Sequence, residues 1–252
     1  MRDFLKAIES NLKRGCVVDG APLVDSTNRV VKERAEAGEP EGLVYFAEAQ
    51  TAGRGRLGRS FFSPAGSGLY FSVLLRPKGI DPLKITVLAG VAVARAAEEV
   101  LGLDLQIKWV NDLYYKNKKV CGILAEGALS AGGLDYCVLG IGVNVFAPPA
   151  GFGELDAIAG ALVEGAPENT LRGRLAASIL NHFFALYERQ ESVLEEYRRR
   201  SYLQGKTVTA VRGNQRFPAK VVGIGEDYAL LLETAEGILA LSSGEVQLED
   251  YR

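Results

Sequence analysis

The chain has 252 residues and a formal net charge of −2, with 48% hydrophobic and 24% charged residues. This composition is typical of a globular protein with one large domain, alone or with a small second one. The slight acidic excess disfavours a bulk nucleic-acid binder. No apolar run reaches the ~18 residues of a membrane span, and the N-terminal residues lack the apolar core of a secretory signal. We therefore expect a cytoplasmic protein.

Cysteine and histidine are scarce. Cys16, Cys121 and Cys137 are an odd number without C-x-x-C spacing, which argues against a disulfide framework or a cysteine zinc site and predicts buried thiols. His182 is the one histidine and lies in an apolar run with helical spacing. Histidine-dependent catalysis is therefore disfavoured.

Helices and strands alternate along the first two hundred residues. The predicted elements are, in chain order, a helix at 1–12, a strand at 16–23, a helix that follows residues 25–28 and runs to 37, strands at 43–49 and 68–76, a helix at 82–101, strands at 106–109, 113–115, 120–126 and 136–145, and a long helix at about 170–200. The helix that begins at Pro82 should lie on a sheet, because its apolar residues recur every three or four positions.

After Gly205 the pattern changes to short β segments joined by tight turns. Five such segments in roughly fifty residues predict a small barrel or sandwich, which is near the lower size limit for independent folding. We expect it to pack against the main domain.

Residues 50–60, QTAGRGRLGRS, hold three arginines in a slightly acidic chain. Glycine lets a backbone approach a ligand closely, and Arg54, Arg56 and Arg59 offer forked donors for phosphate or carboxylate. The segment is neither a P-loop nor a dinucleotide fingerprint, because G-K-[ST] is missing and extended residues follow it. We expect charge repulsion to leave it poorly ordered until an anion binds. A surface loop rich in arginine by chance is the alternative.

Two further clusters are ambiguous when each is taken alone. The sequence KWVND at 108–112 leads into an apolar strand, where alternation places Lys119, Cys121 and Ile123 on one face. Lys119 either snorkels at a sheet edge or points its charge into a pocket. Asn144, within the apolar GIGVNV, is either a structural tie or a ligand contact.

Taken together, these motifs resemble biotin protein ligase, also called biotin–[acetyl-CoA-carboxylase] ligase. The matching segments, in the family's order over residues 18–249, are DSTN, AEAQTAGRGRLGRSFFSPAGSGLYFSVLLRP, KWVNDLYYKNKKVCGILAEG, GIGVNV and LSSGEVQLE. The resemblance implies an α+β fold, with a mixed β-sheet packed with helices as in class II synthetases and a small C-terminal SH3-like β-barrel. It implies a catalytic biotin- and ATP-binding domain at 1–204 and the barrel at 205–252. The expected type is monofunctional, without the N-terminal DNA-binding domain.

The resemblance also implies a two-step reaction. Biotin and MgATP give biotinoyl-5′-AMP and pyrophosphate, and a lysine of a biotin carboxyl carrier protein then attacks the mixed anhydride. The carrier belongs to acetyl-CoA carboxylase or to another biotin-dependent carboxylase. Family behaviour is compatible with a homodimer and leaves the oligomeric state open. No nucleic-acid or membrane partner is expected.

Site residues carry over position by position. The resemblance implies catalytic roles for Lys119 and Arg56. The implied biotin-binding residues are Ser26, Thr27, Asn28, Gln50, Gly53, Arg54 and Gly122. The implied nucleotide- and phosphate-binding residues are Arg54, Arg56, Arg59, Lys108, Trp109, Asn111, Lys119 and Asn144. Asp112 is the implied ligand of Mg²⁺, which it would hold together with substrate phosphates.

The chain departs from the family pattern at two places. Val110 replaces the proline of K-W-P-N-D, and residues 157–164, AIAGALVE, replace a more polar segment on the adenine side. Two other readings stay open: a lipoate–protein ligase, whose arginine and glycine motif differs, and a non-catalytic module that binds biotin or nucleic acid.

Overall fold

The computed structural model describes residues 1–130, 133–189, 192–213, 215–243 and 245–248. Helices in these ranges are α1 (Arg2–Glu9), α2 (Thr27–Glu36), α3 (Pro82–Leu101), α4 (Asn169–Arg189) and α5 (Leu194–Arg199). Strands are β1 (Val17–Val24), β2 (Leu43–Gln50), β3 (Gly68–Leu75), β4 (Gln106–Lys108), β5 (Asp112–Tyr115), β6 (Lys118–Ser130), β7 (Gly133–Asn144), β8 (Thr207–Arg212), β9 (Gln215–Ile224), β10 (Leu230–Thr234), β11 (Gly237–Leu241) and β12 (Glu245–Leu248).

Seven strands form a mixed sheet in the order β1-β2-β3-β7-β6-β5-β4. Only the β1–β2 pair is parallel among the described ladders. One face packs against α2, where Val31 and Ala35 meet Leu74 and Val138. The opposite face joins α3 and α4 in the main apolar core. The predicted fold of a mixed sheet packed with helices is therefore confirmed.

Helix α3 begins and ends where its sequence indicates. The Asp81 carboxylate accepts a hydrogen bond from the Leu83 N–H at 2.6 Å, and Pro82 occupies the first turn. Gly102 ends the helix with a φ of 67°, a left-handed conformation that glycine adopts readily. The resulting helix places a continuous apolar surface on the sheet.

The predicted long helix at 170–200 is wrong in one respect, because Ser192 and Val193 are not helical and separate α4 from α5. A straight helix of that length would extend about 45 Å. The break lets Tyr197 and Arg200 be buried. The Arg200 guanidinium pairs with Glu98, Asp104 and Glu196, so it anchors α5 to α3.

The C-terminal residues form five antiparallel strands in the order β11-β10-β9-β8-β12. The predicted strand number is confirmed, but the predicted barrel is not closed: in the described ladders, β11 and β12 are opposite edges. The sheet is tied to the main domain by the Trp109 indole N–H, which donates to the Tyr228 carbonyl at 3.0 Å. The Arg198 guanidinium donates to the Ile224 carbonyl at 2.9 Å.

No helix in the described ranges is both long enough and apolar enough to cross a membrane.

Candidate active site

Three glycines form the floor of a cavity of about 130 Å³ on the α2 face of the large sheet. Gly122 of β6 pairs with Gly142 of β7, and Gly140 lies two residues before Gly142 in β7. A Cβ on Gly140 would lie 2.1 Å from Asn28 Oδ1, and one on Gly142 would lie 2.5 Å from the Phe61 ring. The missing side chains therefore make room for an amide and an aromatic ring directly on the sheet.

One end of this cavity is built from the turn between β1 and α2. Because β1 and β2 are parallel, with Val24 opposite Gln50, the turn lies beside the end of β2. The Thr27 N–H donates to Gln50 Oε1 at 2.8 Å, and Gln50 Nε2 donates to Ser63 Oγ at 2.9 Å. Ser26, Thr27 and Asn28 are all at least 95% buried. This end is a compact group of hydroxyls and amides.

The other end carries an ion pair. Lys119 Nζ lies 2.7 Å from Asp112 Oδ1, which also accepts a hydrogen bond from Asn111 Nδ2 at 3.1 Å. Asp112 lies opposite Gly122 in the β5–β6 ladder, so the pair borders the glycine floor. The Lys119 side chain is 31% exposed, consistent with a charge that lines a cavity.

The predicted face of Lys119 is wrong. Alternation places it with Cys121, but Lys119 Cε lies 3.5 Å from the position of a Cβ on Gly122, on the cavity side. The register of β5 and β6 shifts between Leu113 and Tyr114, which leaves Val120 as an extra residue. Val120 and Cys121 are both fully buried in the core as a result. The irregularity turns the lysine into the site.

Residues 51–60, the arginine loop, have a folded hairpin-like conformation. The Gly55 N–H donates to the Arg59 carbonyl at 2.7 Å, and the Phe61 N–H donates to the Gly53 carbonyl at 2.8 Å. Arg54 Nη2 lies 3.1 Å from Glu126 Oε1, and Arg56 Nη1 donates to Asn111 Oδ1 at 3.2 Å. The loop thus contacts both ends of the cavity. Its ordering by an anion stays a prediction.

Most of the residues predicted for the site share this cavity. Its lining includes Ser26, Thr27, Asn28, Gln50, Arg54, Arg56, Arg59, Lys108, Trp109, Asn111, Asp112, Lys119 and Gly122. Gly53 and Asn144 are not among the described residues that line it. Gly53 packs against the Phe61 carbonyl and Ser63, and Asn144 is buried, with its amide nitrogen donating to the Gly160 carbonyl at 3.0 Å. Both contacts are structural ties in this conformation.

Several residues at the site were not predicted. Ser72 and Glu126 contact Asn28, Phe61 lies on the glycine floor, and Val246 of β12 lines the cavity. Strand alternation from Gly122 would have found Glu126, which lies four residues further along β6. The others depend on contacts between segments far apart in the sequence, which carry no local signal.

The thiols near the site are not candidate nucleophiles. Burial raises the pKa of Cys121 well above its usual range and that of Cys137 to about 12, so both stay protonated at neutral pH. The prediction of buried thiols is confirmed for these two, whereas Cys16 is half-buried.

A cation at this site would have few protein ligands. The described residues include no group of three or more histidine, cysteine, aspartate or glutamate side chains able to hold a metal. Asp112 is a single carboxylate beside Lys119. This fits Mg²⁺, which usually binds one or two carboxylates together with substrate phosphates.

The known proteins similar to this chain include several biotin ligases. The model of the biotin/lipoate A/B protein ligase family matches residues 20–144, and that of the biotin protein ligase C terminal domain matches residues 204–248. The bifunctional ligase/repressor BirA of Bacillus subtilis is 33% identical over 243 residues, which cover 90% of this chain and 72% of the relative. The biotin–[acetyl-CoA-carboxylase] ligase of Mycobacterium tuberculosis is 31% identical, covering 88% and 85%. The structure of a biotin protein ligase from Aquifex aeolicus in complex with biotin and ATP has a TM-score of 0.76 and 30% identity, covering 92% of this chain and 98% of that one.

Proposed function

The chain belongs to the biotin/lipoate A/B protein ligase family, and from this premise we propose how its site performs biotin–protein ligation. It is an ATP-dependent biotin protein ligase with biotin and ATP as substrates. The reaction has two steps: the biotin carboxylate attacks the α-phosphorus and expels pyrophosphate, and a carrier lysine then attacks the acyl carbon and expels AMP. The cavity has to serve both steps.

In the first step two anions meet, so fixed cations at the reacting centre lower the barrier. We assign this role to Lys119 and Arg56, which line the same cavity. Asp112 holds Lys119 Nζ at 2.7 Å and so fixes its position before substrates bind. Arg54 and Arg59 extend the positive charge along the arginine loop, which would shield the acyl-adenylate from water.

Biotin's ureido ring offers both donors and acceptors, which hydroxyl and amide groups complement. We assign its binding to Ser26, Thr27, Asn28 and Gln50, the buried polar end of the cavity. Gly122 would face the ligand with its backbone, because it lines the cavity and has no side chain of its own. Gly53 would act indirectly, by allowing the arginine loop to pack closely against the Phe61 carbonyl and Ser63.

The nucleotide is assigned to the lysine end of the cavity. Lys108, Trp109 and Asn111 line it there, with Trp109 offering a ring for stacking on the base. Asn144 holds the Gly160 carbonyl and so would act by fixing residues on the adenine side. Asp112 would hold Mg²⁺ together with the phosphates, and the ion would supply further neutralisation of phosphate charge.

The protein substrate is a carboxylase carrier protein, as the names of the relatives indicate. We propose more specifically the biotin carboxyl carrier protein of acetyl-CoA carboxylase or of another biotin-dependent carboxylase. A homodimer, a cytoplasmic location and the absence of nucleic-acid partners are further proposals. So is the domain boundary, between a catalytic unit at 1–204 and a C-terminal unit at 205–252.

The observation that carries the proposal is that the Lys119–Asp112 pair and the polar group around Thr27 share one glycine-floored cavity. The test is pyrophosphate release from MgATP in three parallel reactions, with biotin, with lipoate and with no acid. Release with biotin, with biotinoyl-AMP identified by mass, supports it. Pyrophosphate release with lipoate but not with biotin contradicts it. So does the absence of release with either acid.

A further inference from the structure

Glu126 lies on the same face of β6 as Gly122, four residues along the strand. At ~3.3 Å per residue this places it about 13 Å from the glycine, at the end of the site away from Lys119. Its side chain is 32% exposed. The site therefore has a cationic end and, opposite, a carboxylate behind the polar group.

Both oxygens of this carboxylate have partners in the cavity lining. Oε2 accepts a hydrogen bond from Asn28 Nδ2 at 2.8 Å, and Oε1 lies 3.1 Å from Arg54 Nη2. An ionised carboxylate only accepts hydrogen bonds. Glu126 therefore determines which way the Asn28 amide points, with its nitrogen toward β6 and its oxygen toward β3.

The orientation of Asn28 determines the next donor. Asn28 Oδ1 accepts from Ser72 Oγ at 2.6 Å, and Ser72 is fully buried. Because Ser72 has one hydroxyl hydrogen and Oδ1 has none, that hydrogen is directed to Asn28. The Thr27 hydroxyl lies 2.8 Å from Ser72 Oγ and 3.2 Å from Gln50 Oε1. Both oxygens are acceptors within reach of the Thr27 hydrogen.

When Thr27 donates to either of them, the lone pairs of its oxygen are left for the cavity, which Thr27 lines. This arrangement favours a ligand donor opposite Thr27, such as an N–H of a cyclic urea. Lys119 and Arg56 at the opposite end would attract the carboxylate of the same ligand. Together, the two ends favour one orientation of a neutral urea joined to an acid.

We propose that Glu126 is a positioning residue that fixes the donor and acceptor polarity of the urea-binding end of the site through Asn28, Ser72 and Thr27. The proposal rests on the proposed function. It adds a residue that acts on biotin recognition through its neighbours and not by direct contact.

Three variants test it. Asn28→Asp places two carboxylates against each other and should raise the KM for biotin about 100-fold. Glu126→Gln leaves one accepting oxygen for two donors, Asn28 and Arg54, and should raise the KM for biotin about tenfold. When both substitutions are combined, the new amide at position 126 donates to the new carboxylate at position 28 and its oxygen accepts from Arg54. The KM of this double variant should therefore fall at least tenfold below that of Asn28→Asp. In all three, the KM for ATP should stay within about twofold of the wild type.

Glu33→Gln is the matched control, because Glu33 also pairs with an arginine, Arg29, but on the exposed side of α2. It should keep the wild-type KM for biotin. A double variant no better than Asn28→Asp, or equal losses in both KM values, overturns the proposal. If Asn28→Asp does not fold, Glu126→Gln decides alone, and an unchanged biotin KM overturns it. Wild-type protein without biotin-dependent pyrophosphate release would instead overturn the proposed function.

Discussion

Substitution of Gly140 by alanine should displace the Asn28 amide and so disrupt the polar end of the site. The new Cβ would lie 2.1 Å from Asn28 Oδ1, so the amide must retreat by about 1.3 Å to reach a 3.4 Å contact. A shift of that size disrupts hydrogen bonds of 2.6 Å to Ser72 and 2.8 Å to Glu126. Each buried polar group left without its hydrogen-bond partner lowers the free energy of unfolding by about 1–3 kcal/mol. Alanine offsets up to ~1 kcal/mol of this loss, because it restricts the unfolded chain more than glycine does.

The net loss should be about 2 kcal/mol, or about 4–8 °C in melting temperature for a chain of this size. The KM for biotin should rise at least tenfold in the pyrophosphate assay, because Asn28 leaves its position. Gly223→Ala is the control: it lies in β9 with no atom within 4 Å of the new Cβ. Gly140→Ala with wild-type melting temperature and biotin KM would refute this account of the glycine floor.

The remaining predictions concern the cationic groups. Lys119→Ala should abolish biotin-dependent pyrophosphate release with little change in melting temperature, because the lysine acts where charge develops in the transition state. Substitution of the exposed Lys78 by alanine is the control and should match the wild type. Normal release by Lys119→Ala would contradict the catalytic role of Lys119. Arg56→Gly should release biotinoyl-AMP into solution and biotinylate bystander lysines, measured by mass spectrometry; retention of the intermediate would contradict a closing role. Trypsin cleavage at residues 54–59 should slow when biotin and ATP neutralise the arginine loop, and equal rates with and without ligands would argue against ordering.

Local signals predicted the scaffold of the site well. Helix α3 follows from the proline at its start, its apolar spacing and the glycine after its end, all of which act within a few residues. The strands follow from apolar runs, and the arginine loop from its composition. The residues that determine each of these elements lie within it or next to it in the sequence.

Contacts between distant segments were not predictable from such signals. The cavity side of Lys119 depends on the register of β5 against β6, which strand alternation cannot supply. Trp109 was expected at the nucleotide, and its indole N–H also holds the Tyr228 carbonyl, 119 residues later in the chain. Ser72 has no local signal for a role in the site, because its contact with Asn28 arises only when α2 packs on β3.

The glycine floor limits how the enzyme's substrate range can be redesigned. A floor made of main chain has no side chain left to trim, so bulkier acids cannot be admitted by substituting Gly122, Gly140 or Gly142. Added methyl groups are no alternative, because a Cβ there would collide with Asn28 or with the Phe61 ring. Room for larger analogues has to come from the walls, and Phe61, which rests on two of these glycines, is the first side chain to shorten.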